Sequence, residues 1–597
     1  MTAETVPPAP TYDPWESFVT SAVDGLVTSA RATGLSLEVA TVRSHLALSP
    51  GEEGDLAFPV HRFSAAAGRP PPALAAELAG HFPTSPGIAA VKATGAYVNL
   101  RVDEAALTRA TLDAVGALRE HYGHRPTAGP PACVEHTSAN ATGPFHIGRV
   151  RNAIVGDTFA RVLRAAGVPV TTQYYVDDMG RQAALITWIW SKPRGEWPTA
   201  VREAVDGKEA PGEKPDAHRG RPYPAVSAFV KEHPEAQQEV ADLVHRIEAG
   251  KAPPEHHELT QSILGGMLAS LSRLDIRFDE FVWESTFLTD GSVERVLARL
   301  RAAPRAVREE NGAIAVDTTG HGLPKESTRV VVQRGNGTSL YVTRDIAYHL
   351  AKFARFARVI DVLGQDHQLH ARTLDALLAE IGEPRRPEFI IYQDITVPDG
   401  GRMSTRRGSA VWLDGLLDEA VERARGEVKA RREDLSASEM DRVAEAVATG
   451  AIRYHIVRVA PEKPVVFRWE DALSFEGRSG PFVQYSYARA ASVLRKAETP
   501  APYPYDPSRL THPDERALIR TLAGLPGAVE YAARSTHVQG IAGYAHELAD
   551  RFNRFYHAVP VLKSGEERSS RLALVAAVRQ TLGNALELLG IARLETM

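Results

Sequence analysis

The sequence predicts an α/β protein: a parallel sheet in the middle of the chain, a small α/β unit ahead of it and an all-helical region behind it. Three observations carry this. Residues 132–135 and 170–176 are short apolar strand candidates, separated by a Gly/Pro-containing loop and a helical stretch over 148–166. That strand–loop–helix–strand order is how a parallel, nucleotide-binding sheet begins. Residues 12–120 hold their own alternation of helical and strand patterns. From Leu413 onward the apolar spacing is helical, broken only at Pro461–Pro464 and Pro500–Pro507.

The elements follow in order. Residues 15–33 place Trp15, Val19, Ala22 and Leu26 on one helical face. Residues 70–82 read as a second helix, with prolines near its start where the missing N–H does no harm. Strands are expected at 88–91 and 96–102, then a helix over 103–122 with Asp103 as N-cap. The Pro/Gly-rich stretch 125–131 is a linker. Residues 191–254, proline-rich and charged, predict an irregular insertion, and a helix returns over 258–274. Asn336-Gly337 between two apolar runs predicts a hairpin over 330–342. Further strands are expected at 359–363 and 389–392. The expected domains are residues 1–124, 125–412 with an insertion at about 191–295, a helical connecting region at 413–474, and a helical domain at 475–597.

The chain of 597 residues is 44% hydrophobic and 24% charged, values that suit several packed cores. Its single cysteine, Cys133, excludes an internal disulfide and a Cys-rich zinc site, and fits a cytoplasmic setting. Neither a secretory signal at the start nor a membrane span is expected. The net charge of -5 does not advertise nucleic-acid binding, but it averages over a surface that needs only one basic face.

Two clusters carry chemistry. Glu135-His136-Thr137-Ser138-Ala139-Asn140 and Gly143-Pro144-Phe145-His146-Ile147-Gly148-Arg149 stand where a strand ends and a helix opens. Helix N–H groups face an anion there, and a small Gly148 admits close backbone approach. More than 200 residues later, Gly400-Gly401-Arg402-Met403-Ser404-Thr405-Arg406-Arg407-Gly408 brackets cations and hydroxyls with glycines, as suits a loop closing over polyphosphate.

Together these loops resemble the His-Ile-Gly-His and Lys-Met-Ser-Lys motifs of class I aminoacyl-tRNA synthetases, and their surroundings resemble the arginyl family. Val134–Asn140 is similar to that family's Val-Glu-Phe-Ser-Ser-Pro-Asn strand end. Tyr174–Gln182, Leu340–Ala347 and Met403–Gly408 match further family stretches. Gly54-Asp55-Leu56-Ala57 and Tyr97-Val98-Asn99 resemble its N-terminal tRNA-binding domain. Gln484–Arg489 and Ala585–Ile591 resemble its anticodon-binding domain, and the archaeal type is the closer one.

The resemblance implies a Rossmann-type catalytic domain that activates L-arginine with ATP, Mg²⁺ accompanying the nucleotide, and esterifies it to tRNA(Arg). Activation would require bound tRNA, and the protein would be a monomer. It also implies roles. Glu135, Asn140, Tyr341, Asp345 and Asp366 would bind arginine. His146, Gly148, Arg149, Gly364, His367, Met403 and Ser404 would bind ATP. His146, Arg149, Arg402, Ser404 and Arg406 would act in catalysis, and Tyr485, Tyr487 and Arg489 would meet tRNA. Other readings of some residues stay open: Asp345 also suits a helix N-cap, Tyr341 core packing, and Tyr487 a core aromatic.

Departures are Arg149 for the last His of the first motif, Arg402 for the first Lys of the second, and Thr405 for its second Lys. The family sometimes compensates the last with a Lys upstream of the first loop. Gly143 holds that position here, which leaves Arg406 or Arg407 as substitute. Two other readings keep the fold: a second copy supplying arginyl-tRNA to a specialised pathway, and a tRNA-binding relative without activation.

Overall fold

The computed structural model describes residues 12–49, 51, 53–208, 212–396, 405–406, 409–410 and 412–597, with backbone only at 405–406 and 409–410. The first unit is a four-stranded antiparallel sheet, in spatial order Ala47–Leu48, Leu56–Pro59, Tyr97–Val102, Ile88–Thr94. The expected helix runs Glu16–Ala32. Trp15, Ala22 and Leu26 are buried and Val19 half-buried. Asp103 caps the Glu104–Leu118 helix by accepting from Ala106 N at 2.7 Å.

The central sheet has five parallel strands: β1 (Ala132–Glu135), β2 (Val170–Val176), β3 (Glu280–Trp283), β4 (Arg358–Gly364) and β5 (Glu388–Tyr392). Their spatial order is β5-β4-β1-β2-β3, so the order reverses between β1 and β4 and a crevice opens at that carboxyl edge. Helix α1 (Val150–Ala165) covers one face. On the other face, α2 (Tyr341–Arg355) packs Ile346, Ala347 and Phe353 with Cys133 and Val359.

Three expectations are corrected. The 191–254 stretch is helical, not irregular: Thr199–Val205, Pro215–Gly220, Tyr223–Glu232 and Pro234–Glu248 are helices. Its prolines sit at helix starts, Pro215 and Pro234 as first residues and Pro198, Pro222 and Pro254 as N-caps, positions where a missing N–H breaks no bond. Trp188, Trp197, Val201, Val230 and Val240 give this module its own core. The insertion drawn to about residue 295 also reaches too far, because β3 extends the parallel sheet.

The hairpin expected over 330–342 shrinks to a single antiparallel bridge, Gln333 with Ser339. The strand Arg329–Gln333 pairs along its length with Ile314–Asp317, in a three-stranded antiparallel sheet completed by Ala306–Arg308. The turn exists, with Gly337 at φ 89, but the chain leaves it as α2. Val342, Ile346, Ala347 and Phe353 repeat at helical spacing, and burying that stripe outweighs a four-residue strand preference.

Helices dominate from Leu413 on, beginning with Leu413–Lys429 and Ala437–Val457, with a two-residue strand, Val465–Val466, beside Ile395–Thr396. Among the described residues, no helix is long and apolar enough to cross a membrane.

Buried arginines join these parts. Arg151 of α1 is buried and donates to the carbonyls of Gln393, Lys463 and Ala460 at 2.7, 2.7 and 2.8 Å. Arg453 donates to Leu589 O and Leu274 O, both at 2.6 Å, and to Asp157 Oδ2 of α1 at 2.5 Å. Gly590, at φ 65, must lack a side chain because a Cβ there would strike that guanidinium. Arg520 of the helical region reaches Asp55 of the first unit at 2.7 Å, and Tyr122 Oη donates to Leu522 O at 2.8 Å. Asp55, part of the Gly-Asp-Leu-Ala stretch, thus braces a domain junction.

Asp157→Asn leaves Arg453 buried without its carboxylate. We expect a stability loss of roughly 3–5 kcal/mol, measured by urea unfolding.

Candidate active site

The loop after β1 is built under strain. Thr137 and Ser138 have φ of 73 and 36, left-handed values that cost non-glycine residues on the order of 1–3 kcal/mol each. Neighbours hold them there. Asn152 of α1 accepts from Thr137 N at 2.7 Å and donates to Val362 O at 2.8 Å. Ser138 Oγ donates to Glu135 Oε1 at 2.9 Å and accepts from Tyr175 N at 3.0 Å. Tyr174 Oη donates to Ala139 O at 2.6 Å, and Asn140 Nδ2 to Gln182 Oε1 at 2.8 Å.

Helix α1 lies so close to β1 that a Cβ on Gly156 would come within 2.2 Å of His136 Cβ. This sets the start of α1, and His146–Arg149 before it, at the sheet's carboxyl edge. His146 Nδ1 accepts from Gly148 N at 3.1 Å, which makes Nε2 the protonated nitrogen of the neutral ring. Its ring stands edge-on to Trp412, 5.7 Å between centroids.

Opposite lies a cluster of charge. The register pairs Glu135 of β1 with Asp361 of β4, so two carboxylates leave the same edge side by side. Lys352 of α2 bridges them, Nζ to Glu135 Oε2 at 2.5 Å and to Asp361 Oδ1 at 2.7 Å. His349, one turn earlier, joins Asp361 Oδ2 at 2.6 Å and Asp345 Oδ1 at 3.1 Å. His370 closes the chain on Asp345 Oδ2 at 2.7 Å.

Burial raises the Glu135 pKa, with Lys352 opposing it. Burial likewise acts to raise Asp345, but His349 and His370 together bring it far below the usual carboxylate range. Desolvation opposes the charge on His349, yet Asp361 and Asp345 push its pKa up to about 10. The carboxylates face outward and the cations stand behind them: Glu135 and Asp345 side chains are 13% and 18% exposed, whereas Lys352, His349 and Asp361 are 1%, 2% and 4%.

These groups share one cleft of 860 Å³. Glu135, Asn140, Tyr341, Asp345, His146, Arg149, Gly364 and His367 all line it. Tyr341 is 46% exposed, which removes the core-packing reading, and Asp345 stands within α2, not at its cap. Gly148 takes its place in the turn leading into α1. Asp366 is the exception: its side chain is 67% exposed, 3.7 Å from His367, and faces solvent where an arginine-binding role was expected. Arg402, Met403 and Ser404 lie outside the described residues. Arg406 is described only as backbone, in a short hairpin of Thr405–Arg406 with Ser409–Ala410.

The sequence reading missed His349, Lys352, Asp361 and His370. A signal existed for two: Tyr341, Asp345, His349 and Lys352 recur every three to four residues, one face of a helix.

In the helical region, Arg489 lies between the rings of Tyr485 and Tyr556, 4.8 and 5.1 Å from their centroids, in a second pocket of 480 Å³. Tyr487 is buried, with its hydroxyl donated to Glu595 at 2.8 Å, so it has no ring face for a nucleotide base and the expected tRNA contact is corrected to a core role.

Three family models match successive stretches: arginyl tRNA synthetase N terminal domain over 28–102, tRNA synthetases class I (R) catalytic domain over 123–469, and DALR anticodon binding domain over 483–597. The arginine–tRNA ligase of Methanothermobacter thermautotrophicus is 43% identical over 507 residues, covering 85% of this chain and 86% of that one. The arginine–tRNA ligase of Methanosphaerula palustris is 39% identical and covers 94% and 98%. Among solved structures, Thermus thermophilus arginyl-tRNA synthetase matches with a TM-score of 0.80 at 29% identity, over 96% of this chain and 99% of that one. Plasmodium falciparum arginyl-tRNA synthetase matches in fold, with a TM-score of 0.73 at 16% identity over 97% and 99%.

Two outcomes are expected from the charge cluster. Lys352→Met leaves Glu135 and Asp361 facing each other unbridged, and should lower stability by roughly 3–5 kcal/mol in urea unfolding. His349 is protonated when folded and neutral when unfolded between pH 6.5 and about 10. Its stabilisation is therefore complete below pH 6.5 and lost as pH rises towards 10. Thermal midpoints should show that alkaline decline in the wild type and a flatter one in His349→Gln.

Proposed function

The chain belongs to the arginyl-tRNA synthetases, a class I aminoacyl-tRNA synthetase family, and joins arginine to tRNA; we propose that the cleft between β1, β4 and α2 is where it does so. The paired carboxylates of Glu135 and Asp345, turned towards the cleft and backed by buried cations, carry the assignment. A guanidinium is a permanent planar cation, and paired carboxylates are its best receptor. Tyr341 flanks that face and Asn140 stands ready for the amino acid's α-group. At the other end, His146 and Arg149 meet the phosphates of ATP, which enters as its magnesium complex.

In this reading an oxygen of the arginine carboxylate attacks the α-phosphorus in line. The bond to the β-phosphate bridging oxygen breaks and pyrophosphate leaves. A hydroxyl of the tRNA 3′-terminal adenosine then attacks the activated carbonyl, and AMP departs. The protein positions reactants and stabilises developing charge. His146 and Arg149 hold phosphate oxygens from the start of α1. Arg402, Ser404 and Arg406 act from the opposite loop, and Gly364 and His367 flank the nucleoside. Tyr485, Arg489 and Tyr556 offer a stacked, cationic surface for unpaired anticodon bases.

Retention of both guanidinium-facing carboxylates argues against a tRNA-binding relative without activation. Charging of purified tRNA with arginine tests the reading. Asp345→Ala should reduce kcat/KM for arginine by roughly 100-fold or more, since a bound cation loses a buried partner. Charging with a different amino acid, and none with arginine, overturns it.

A further inference from the structure

The inserted helical module does more than pack on the catalytic domain. Its Pro215–Gly220 helix ends against the loop that precedes His146: a Cβ on Gly220 would fall 2.2 Å from Gly143 Cα and 2.7 Å from Thr142 O. Only glycine permits that backbone contact, and it brings the next residue, Arg221, into the wall of the cleft, beside Glu213.

The segment carrying Arg221 is fixed. Lys214 Nζ reaches Asp414 at 2.7 Å, at the start of the helix that follows the second motif loop. Asp216 is buried so tightly against Gly266 that a Cβ there would meet its carboxylate at 2.3 Å. Trp190 Nε1 donates to Arg219 O at 2.9 Å. Freedom is therefore left to the Arg221 side chain, not to its backbone.

That side chain is ion-paired with Glu213, yet the pair is incomplete. Arg221 Nε and Glu213 Oε2 are both buried and without a hydrogen-bond partner among the described residues. Arg149 and Arg221 are the arginines among the described residues lining the cleft, and no lysine lines it. A polyphosphate entering beside His146 can take Arg221 as well as Arg149, in addition to the cations proposed for the opposite loop and the magnesium it carries, and a guanidinium matches phosphate oxygens two at a time.

We propose that Arg221 is a substrate-contacting residue for the ATP polyphosphate, paired with Glu213 until the nucleotide binds and then exchanging that carboxylate for phosphate. The proposal rests on the cleft being the ATP site. Glu213 competes with ATP for the guanidinium, so the two residues act on nucleotide affinity with opposite signs.

The test is tRNA charging over a range of ATP at saturating arginine, for wild type, Arg221→Ala, Arg221→Lys and Glu213→Gln. Arg221→Ala should raise KM for ATP about tenfold or more, as loss of a charge-assisted hydrogen bond does, with KM for arginine within about twofold. Arg221→Lys should show a smaller rise, and Glu213→Gln should hold or lower KM for ATP. A rise with Glu213→Gln means the pair only braces the module and overturns the proposal. So does Arg221→Ala without a rise. If circular dichroism shows Arg221→Ala unfolded, Arg221→Lys and Glu213→Gln decide by sign. Wild-type protein that fails to charge arginine at all would instead sink the reading of the cleft, a separate result.

Discussion

Two carboxylates at the same level of adjacent parallel strands cannot both stay ionised in a buried place unless a cation stands between them, and that constraint organises this protein. Register puts Glu135 beside Asp361, and Lys352 answers both. The lysine needs a helix whose inner face sits over the sheet, which α2 supplies with its apolar stripe. The same helix carries Asp345 and His349, two turns and one turn ahead of it. The proposed receptor for one guanidinium thus grows from a β–β register and a helical period, and its charge is set by Lys352, which does not line the cleft, and by His349 and Asp361, which are almost fully buried in its wall. Removing a partner from such a network costs far more than a surface ion pair.

The two ends of the cleft carry opposite charge for different structural reasons. The acidic end is rigid, because its groups leave packed secondary structure and hold each other in buried hydrogen bonds. The basic end is assembled from loops and helix starts: the strained turn at Thr137 and Ser138, the His146–Arg149 turn, and the inserted module touching Gly143 through Gly220. A rigid, planar guanidinium suits the first. A long, flexible polyphosphate with a leaving group suits the second.

Much of this was legible in the residues, and the failures have physical causes. Strands β1 and β2 were readable because buried parallel strands are short apolar runs between turn signals. The loop residues that line the cleft were readable because their chemistry is local. The hairpin at 330–342 misled because Asn-Gly marks a turn without fixing the element beyond it, helix or strand. The inserted module was read as irregular because proline density hides helix starts. His349 and Lys352 were hidden because the first turn of α2 was read as a strand end, so the helical face they share with Tyr341 and Asp345 was not drawn. Asp361 could not be found at all, since only strand register, a non-local property, sets it against Glu135. Tyr487 misled in the other direction: a ring in a recognisable motif says nothing about burial.

Arg151 carries one last consequence. Burial pushes its pKa down to about 10, and its nearest acceptors are peptide carbonyls at 2.7–2.8 Å. In a clasp made of one buried cation and fixed dipoles, dissolved ions cannot reach in to compete. The contact of the first unit with the helical region through Arg520 depends on carboxylates, Asp55 and the partly exposed Glu104. High salt would therefore weaken the partly exposed Arg520–Glu104 pair of the outer domain first, while α1 stayed seated on the connecting region behind it.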